Sequence, residues 1–235
     1  MSEKLHAGGL HLDRIIFIGR TYNEYMSMFD LTKEQLQGRR ILDCPAGACS
    51  FTAEASKHGL DVIATDIAYT FDTDALHAKG KQDIAHMLEH MQTAHHEYDW
   101  TMMGTIEQLG NTRLFALETF CQDRAQYDQR YIPATLPQLP LPDKSVDLTL
   151  SAHFLFMYAD RLDLSFHIQC LREMMRVTTQ EIRIFPLVNL QGERVSFIEE
   201  AIFTASAGEW ISEEKPTPYI FQKGAESMLI LKRKL

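Results

Sequence analysis

The chain has 235 residues, of which 45% are hydrophobic and 23% are charged, and these proportions exclude a disordered or low-complexity chain. Its formal net charge of −9 repels phosphate backbones and anionic lipid, so we expect neither a nucleic acid nor a membrane as a partner. The four cysteines lack paired short spacing, and no signal peptide or apolar stretch of about 20 residues is visible, which predicts a cytoplasmic protein with reduced thiols.

Residues 1–38 are predicted to form a separate helical cap that precedes an α/β domain spanning residues 39–235. Four side chains share one face of its helix: Tyr22, Tyr25, Met26 and Phe29. Core packing explains this stripe. Because the helix directly precedes the first strand, an alternative is that it lies across the carboxyl edge of the sheet as a lid.

The next segments follow the pattern of a strand, a tight turn, a helix and a second strand. A short apolar run at 40–43 leads into a turn at 44–47, and a helical segment at 51–58 ends at a glycine. The run 61–66 is typical of a buried strand and ends in an aspartate. Together they predict a right-handed βαβ unit.

More than sixty residues separate this unit from the next predicted strand, at 130–134, and most of them indicate helix. We therefore predict a helical insertion at about 72–128. Apolar runs at 146–156 and 181–188 flank an amphipathic helix and predict a second βαβ unit. At the C-terminus, the segments 219–222 and 227–231 with a glycine-containing turn between them predict a β-hairpin. The chain is thus expected to form a doubly wound α/β fold.

Ligands bind such sheets at the carboxyl ends of the strands, so the turn after the first strand is informative. It holds one glycine, Gly47, where a dinucleotide-binding turn has three. Asp43 at the end of the strand repels a phosphate and favours an ammonium group. Asp66 ends the neighbouring strand and is placed to accept hydrogen bonds from ribose hydroxyls. An ammonium, a ribose and no phosphate describe S-adenosylmethionine.

Three segments resemble the class I S-adenosylmethionine-dependent methyltransferases of bacterial type: Ile41–Gly47, Asp66–Ile67 and Leu139–Leu148. The similarity runs from about Gly38 to the C-terminus. It implies a Rossmann-like, mostly parallel seven-stranded sheet with an antiparallel C-terminal hairpin, and S-adenosylhomocysteine as the product. Two positions depart from the family pattern: Pro45 replaces a glycine, and the segment 134–136 lacks the acid that often meets the adenine amine.

The resemblance also implies which residues form the site. It places these residues at the cofactor: Tyr25, Asp43, Pro45, Ala46, Gly47, Ser50, Asp66, Ile67, Ala68, Thr135, Leu136, Ser151 and Ala152. His153 follows the fourth strand beside the transferred methyl group, as a general base or as a hydrogen-bonded core histidine. Tyr158 is the second catalytic candidate and His167 a weaker one. The acceptor is expected to be a small molecule, and its reacting atom and the oligomeric state stay open.

Three further signals carry alternatives. The segment His86–His90 matches a zinc-binding H-x-x-E-H pattern, but a solvated helix face explains it more simply, so we expect no metal. Four residues of the insertion either line an apolar acceptor pocket or pack the insertion onto the sheet: Tyr98, Trp100, Met102 and Met103. Finally, Pro45 and the missing adenine acid are compatible with a non-catalytic module of the same fold that binds the cofactor or a partner.

Overall fold

The computed structural model describes residues 15–234, so the first 14 residues of the predicted cap lie outside the described part. The strands in this part are β1 (Arg40–Asp43), β2 (Asp61–Asp66), β3 (Tyr131–Pro133), β4 (Val146–Ala152), β5 (Thr178–Phe185), β6 (Trp210–Pro216) and β7 (Ser227–Arg233). The α-helices are α1 (Tyr22–Met28), α2 (Lys33–Leu36), α3 (Phe51–Lys57), α4 (Thr73–Thr93), α5 (Ile106–Gln126), α6 (Leu164–Val177) and α7 (Ile198–Ser206).

The seven strands form one sheet in the order β3-β2-β1-β4-β5-β7-β6. Strands β1 to β5 are parallel, whereas β7 runs antiparallel to both β5 and β6. The predicted α/β fold with an antiparallel C-terminal hairpin is thereby confirmed. The order reverses between β1 and β4, and Asp43 at the end of β1 pairs with Ala64 on one side and Leu150 on the other. The ends of β1, β2 and β4 therefore open into one crevice.

Each face of the sheet is covered by helices, because successive side chains of a strand point to opposite faces. Ile41 of β1 packs in a core with Tyr25 of α1, Phe51 of α3 and Met87 of α4. Leu42, the next residue, belongs to the opposite core formed with α6 and α7. The two cores hold the strand ends in fixed positions relative to the helices that follow them.

The helices begin where the sequence offers capping side chains. The hydroxyls of Thr21 and Thr105 accept hydrogen bonds from the third backbone N–H of α1 and α5, and a Glu or Gln at that third position returns the bond. Asp72 caps α4 by accepting a hydrogen bond from the Ala75 N–H, without a returning bond. Helices α4 and α5 pack against each other and make up most of the predicted helical insertion.

One strand was predicted at the wrong place. The C-terminal strand of the hairpin is β7, as expected, but its partner is Trp210–Pro216 and not the segment 219–222. Strand β6 lies at the sheet edge and exposes most of its side chains, so its sequence lacks the apolar signal of a buried strand. Tyr219 and Phe221 are apolar for another reason: both are buried outside the sheet, in the core with α1 and α4.

Candidate cofactor site

A cavity of about 510 Å³ lies at the carboxyl ends of β1 to β4, a volume in the range of sites for small organic ligands. Its wall combines the loops after these strands with helix α4 and with a segment that precedes α1. We name this segment, residues 15–20, the N-terminal strap. The predicted site residues that line the cavity are Pro45, Ala46, Gly47, Asp66, Ile67, Ala68, Thr135, Leu136, Ala152, His153 and Tyr158.

The turn after β1 is closed although Pro45 replaces a glycine. Gly47 has φ of 55°, a left-handed conformation that favours glycine, and its N–H donates to Asp66 Oδ2 at 2.8 Å. A Cβ atom at Gly47 would lie 3.1 Å from the carbonyl oxygen of Ile18. The Tyr69 hydroxyl donates to the Gly47 carbonyl at 2.8 Å and fixes the turn from the other side.

Asp66 ends β2 and faces the cavity with both carboxylate oxygens already oriented by backbone donors. Its Oδ1 accepts from the Ala68 N–H at 2.8 Å while Oδ2 accepts from Gly47. Burial raises the pKa of Asp66, although the two backbone hydrogen bonds oppose that shift. Each oxygen keeps a free lone pair, so the carboxylate can accept two further hydrogen bonds. Ile67 beside it is 57% exposed toward the mouth of the cavity.

Four predicted cofactor residues lie behind the cavity wall and do not line it: Tyr25, Asp43, Ser50 and Ser151. Asp43 Oδ1 accepts from the Tyr25 hydroxyl at 2.8 Å, and its Oδ2 has no hydrogen-bond partner among the described residues. Burial raises the pKa of Asp43 well above its ordinary value; the Tyr25 hydrogen bond opposes this shift and the nearby Asp66 adds to it. The side chain of Ser151 also has an unpartnered buried oxygen in residues 15–234.

The strap, and not helix α1, covers the glycine turn. The Phe17 N–H donates to Asp83 Oδ2 at 2.7 Å. Gly19 passes so close to the turn that a Cβ there would lie 1.9 Å from the Ala48 oxygen. The predicted stripe of α1 packs into the core: none of its four side chains lines the cavity.

Arg20, at the end of the strap, is a lining residue that the sequence analysis missed. Its side chain is 11% exposed, and its Nε makes no hydrogen bond within residues 15–234. The nearest carboxylate, Glu24 at 4.0 Å, is already held at 2.8 Å by both Nη atoms of Arg113. Arg20 therefore brings a positive charge to the cavity that no neighbouring side chain fully neutralises. No motif marked it, because a single arginine before a helix has no distinctive spacing.

His153 lines the cavity directly after β4, in an unusual backbone conformation. Its φ is 54°, and its N–H donates to the Phe185 carbonyl at 2.6 Å. The ring Nδ1 is buried and has no partner in the described part of the chain. Burial lowers the pKa of His153 well below its ordinary value, and the charges of Arg20 and Arg113 lower it further. The ring is thus a neutral imidazole at the end of β4.

The remaining candidate residues differ in whether they line the cavity. His167 does not line the cavity: its two ring nitrogens lie 2.7 Å from the carbonyl oxygens of Asp163 and Leu155 in the core. Tyr98 lines the cavity, whereas Trp100, Met102 and Met103 do not. The H-x-x-E-H segment belongs to no group of three or more His, Cys, Asp or Glu residues that could hold a metal ion, and residues 15–234 contain no such group elsewhere. None of the helices described here is both long and apolar enough to span a bilayer.

Comparison with known proteins gives one relative in sequence and several in fold. The chain is 32% identical over 225 residues to the uncharacterized protein MJ0045 of Methanocaldococcus jannaschii, which covers 95% of this chain and 99% of that protein. The structure of PH0226 from Pyrococcus horikoshii is similar with a TM-score of 0.50 at 12% identity, over 91% of each chain. No model of a known protein family matches the chain.

A second similar structure is that of the magnesium protoporphyrin IX methyltransferase of Synechocystis, crystallised with bound S-adenosylhomocysteine. Its TM-score is 0.50 at 12% identity, over 91% of this chain and 83% of that one. The structural similarity shows a common fold. At identities this low it carries no information about the acceptor molecule.

Proposed function

Since the chain belongs to the same family as protein MJ0045 and has the fold of class I S-adenosylmethionine-dependent methyltransferases, we propose that it transfers a methyl group from S-adenosylmethionine to a small molecule. The observation that carries the proposal is the hydrogen bond between Gly47 and Asp66 at the rim of the cavity. It joins the turn after β1 to the acid after β2, which are the two features expected to hold the ends of the cofactor.

The residues of the cavity fit each part of that cofactor. Asp66 has free lone pairs for the ribose hydroxyls, and Ile67 with Leu136 offers apolar surface for adenine. Asp43 lies behind the turn, and its buried Oδ2 accepts no hydrogen bond from the described residues. An ammonium group nearby would favour the charged form of this carboxyl electrostatically. Arg20 supplies the positive charge that a carboxylate requires.

When bound, the cofactor supplies a methyl group that its sulfonium has already activated, so the protein mainly has to align the acceptor with it. With the cofactor bound, the strap and the aromatic side chains around the cavity would shield the reacting atoms from water. The neutral ring of His153 can take the proton of an acceptor that arrives protonated.

We place the enzyme in the cytoplasm. All four cysteines are free thiols, and three of them, Cys44, Cys49 and Cys170, are buried. Burial raises the pKa of Cys49 to about 12, so this thiol next to the site stays protonated and unreactive. Such thiols are typical of proteins in a reducing compartment.

The test is calorimetric titration with S-adenosylhomocysteine. We expect Asp66→Ala to weaken binding about a hundredfold, because two hydrogen bonds to a charged group are lost. Asp61→Ala is the matched control: Asp61 starts the same strand at the opposite edge of the sheet, is 68% exposed and leaves the cavity untouched. Absence of binding by the folded wild-type protein, or equal affinities of the two variants, would contradict the proposal.

A second candidate is a non-catalytic module that binds the cofactor. The low pKa of His153 favours it, because an imidazole that is hard to protonate is a weak base. The two candidates differ in turnover. A protein that binds S-adenosylhomocysteine through Asp66, yet forms none of it from S-adenosylmethionine with any small molecule offered, fits the module and not the enzyme.

A further inference from the structure

Some residues that line the cavity lie outside the loops after β1 to β4, and we name the part of the cavity next to six of them the acceptor chamber. Its wall consists of Met87, Met91, Tyr98, Leu190, Phe221 and Gln222. These residues come from α4, the α4–α5 connection, the β5–α7 connection and the β6–β7 connection. We propose that this chamber binds an uncharged, flat, largely apolar acceptor and that the Tyr98 hydroxyl selects it by a hydrogen bond. This inference rests on the proposed function.

Four contacts hold the chamber wall together. The rings of Tyr98 and Phe221 lie 4.8 Å apart, and Trp100 meets Phe221 edge-on from behind at 5.5 Å. The backbones of Tyr98 and Gln222 form a β-bridge, and the Gln222 amide nitrogen donates to the Asn189 and Leu190 carbonyls. The three connections are therefore fixed to one another, and the chamber is built into the fold.

The chemistry of the wall selects for shape. The lining residues include two aromatic rings, Tyr98 and Phe221, and the flexible side chains of Met87 and Met91. Aromatic rings favour stacked or edge-on contact with another flat ring. Methionine adapts to irregular apolar surfaces and contacts rings favourably through its sulfur. The wall therefore suits a flat ring system better than a branched or strongly hydrated molecule.

The charges of the cavity exclude an ionic acceptor. None of the six chamber residues is charged, and the charged lining residues in the described chain are Arg20, Lys79 and Asp66. Lys79 forms an ion pair with Asp83. Asp66 and Arg20 are taken by the ribose and the carboxylate in the proposed function. An ionic acceptor would lose its hydration in the chamber without meeting a free opposite charge among these lining residues.

Tyr98 supplies a polar group for recognition. Its hydroxyl makes no hydrogen bond with the described residues and is not sealed inside the protein. Burial raises the pKa of Tyr98, so the hydroxyl remains a donor at neutral pH. Gln222 is the other polar chamber residue, and its amide nitrogen already donates to the Asn189 and Leu190 carbonyls. An acceptor with one oxygen on an apolar ring would satisfy Tyr98.

The experiment measures binding of matched naphthalene probes to protein saturated with S-adenosylhomocysteine. Naphthol, naphthoate and aminomethylnaphthalene share the ring and differ in charge. We expect naphthol to bind at least tenfold more tightly than either ion. Tyr98→Phe is expected to weaken naphthol binding about fivefold, the value of one hydrogen bond, and to leave the affinity for S-adenosylhomocysteine unchanged. Tyr127→Phe, outside the cavity, is the control and should change neither affinity.

The outcomes separate this inference from the proposed function. Tighter or equal binding of an ionic probe, undetectable naphthol binding, or an unchanged naphthol affinity in Tyr98→Phe would overturn the inference while the cofactor still binds. If S-adenosylhomocysteine itself fails to bind, the proposed function is lost. The probe series in the absence of that ligand then still decides whether the chamber prefers the uncharged ring through Tyr98.

Discussion

Gly47 and Gly59 both adopt left-handed backbone conformations, with φ of 55° and 78°, but their surroundings differ. A Cβ at Gly59 meets no atom within 4 Å, whereas at Gly47 it would press on Ile18 of the strap. Gly47 therefore has a role beyond its backbone conformation, and Gly59 does not. Conformational strain is common to both, and a steric conflict with the cavity roof is specific to Gly47.

We predict that Gly59→Ala lowers the free energy of unfolding by about 1 kcal/mol, through backbone strain alone. Gly47→Ala should lower the free energy of unfolding by more than this, because the new Cβ presses on the strap. It should also weaken binding of S-adenosylhomocysteine, because the displaced strap carries Arg20. Urea denaturation and calorimetry measure the two effects. If Gly47→Ala kept full affinity for the ligand, the turn would not form part of the cofactor site.

The pKa of His153 reports on its neighbour Arg20. Burial and this positive charge hold the pKa well below its ordinary value. A bound ligand carboxylate that pairs with Arg20 cancels the charge, so S-adenosylhomocysteine should raise the pKa of His153, and Arg20→Met should raise it without ligand. Proton NMR of the histidine ring follows this titration, with His153→Asn to identify the signal. An unchanged or lowered pKa on binding would mean that the carboxylate lies elsewhere.

At the scale of the elements, one buried ion pair joins α1 to α5. Glu24 and Arg113 have side chains that are 7% and 1% exposed, and the Tyr219 hydroxyl adds a hydrogen bond to Glu24 at 2.9 Å. Burial alone would raise the pKa of Glu24, but the charge and hydrogen bonds of Arg113 outweigh it and lower that pKa to about 2. The strap is held by the same group, since Arg113 also donates to the Gly19 carbonyl at 3.3 Å.

We predict that Glu24→Leu and Arg113→Met each lower the free energy of unfolding by about 3 to 5 kcal/mol, because each leaves an uncompensated buried charge. The double variant should lose clearly less than the sum of the two. Urea denaturation of all four proteins gives the coupling. Additive losses would show that the two side chains do not act as a pair.

The Glu24–Arg113 pair makes the stability of the folded protein sensitive to acid. The pKa of Glu24 lies below its unfolded value, so its contribution is complete at neutral pH and is lost as the pH falls from about 5 toward 2. The stability of Glu24→Leu should therefore depend less on pH across this range than that of the wild type.

At the scale of the whole molecule, sequence periodicity predicted the sheet because its central strands are apolar and buried on both faces. The edge strand β6 was missed since its exposed residues carry no such pattern. For the site, turn chemistry led to the prediction of Gly47 and Asp66 as cofactor residues. Both line the cavity, and the roles of the predicted site residues stay predictions. Arg20 and Gln222 line the cavity through contacts between distant segments, which short motifs cannot reveal.

The strap is made before the residues that it contacts. Phe17 meets Asp83 and Gly19 meets Arg113, 66 and 94 residues further on. At ordinary translation rates Arg113 follows Gly19 roughly 5 to 20 s later. During that interval the strap lacks its hydrogen bond to Arg113, so this contact over the cavity forms only after the ribosome has produced helix α5.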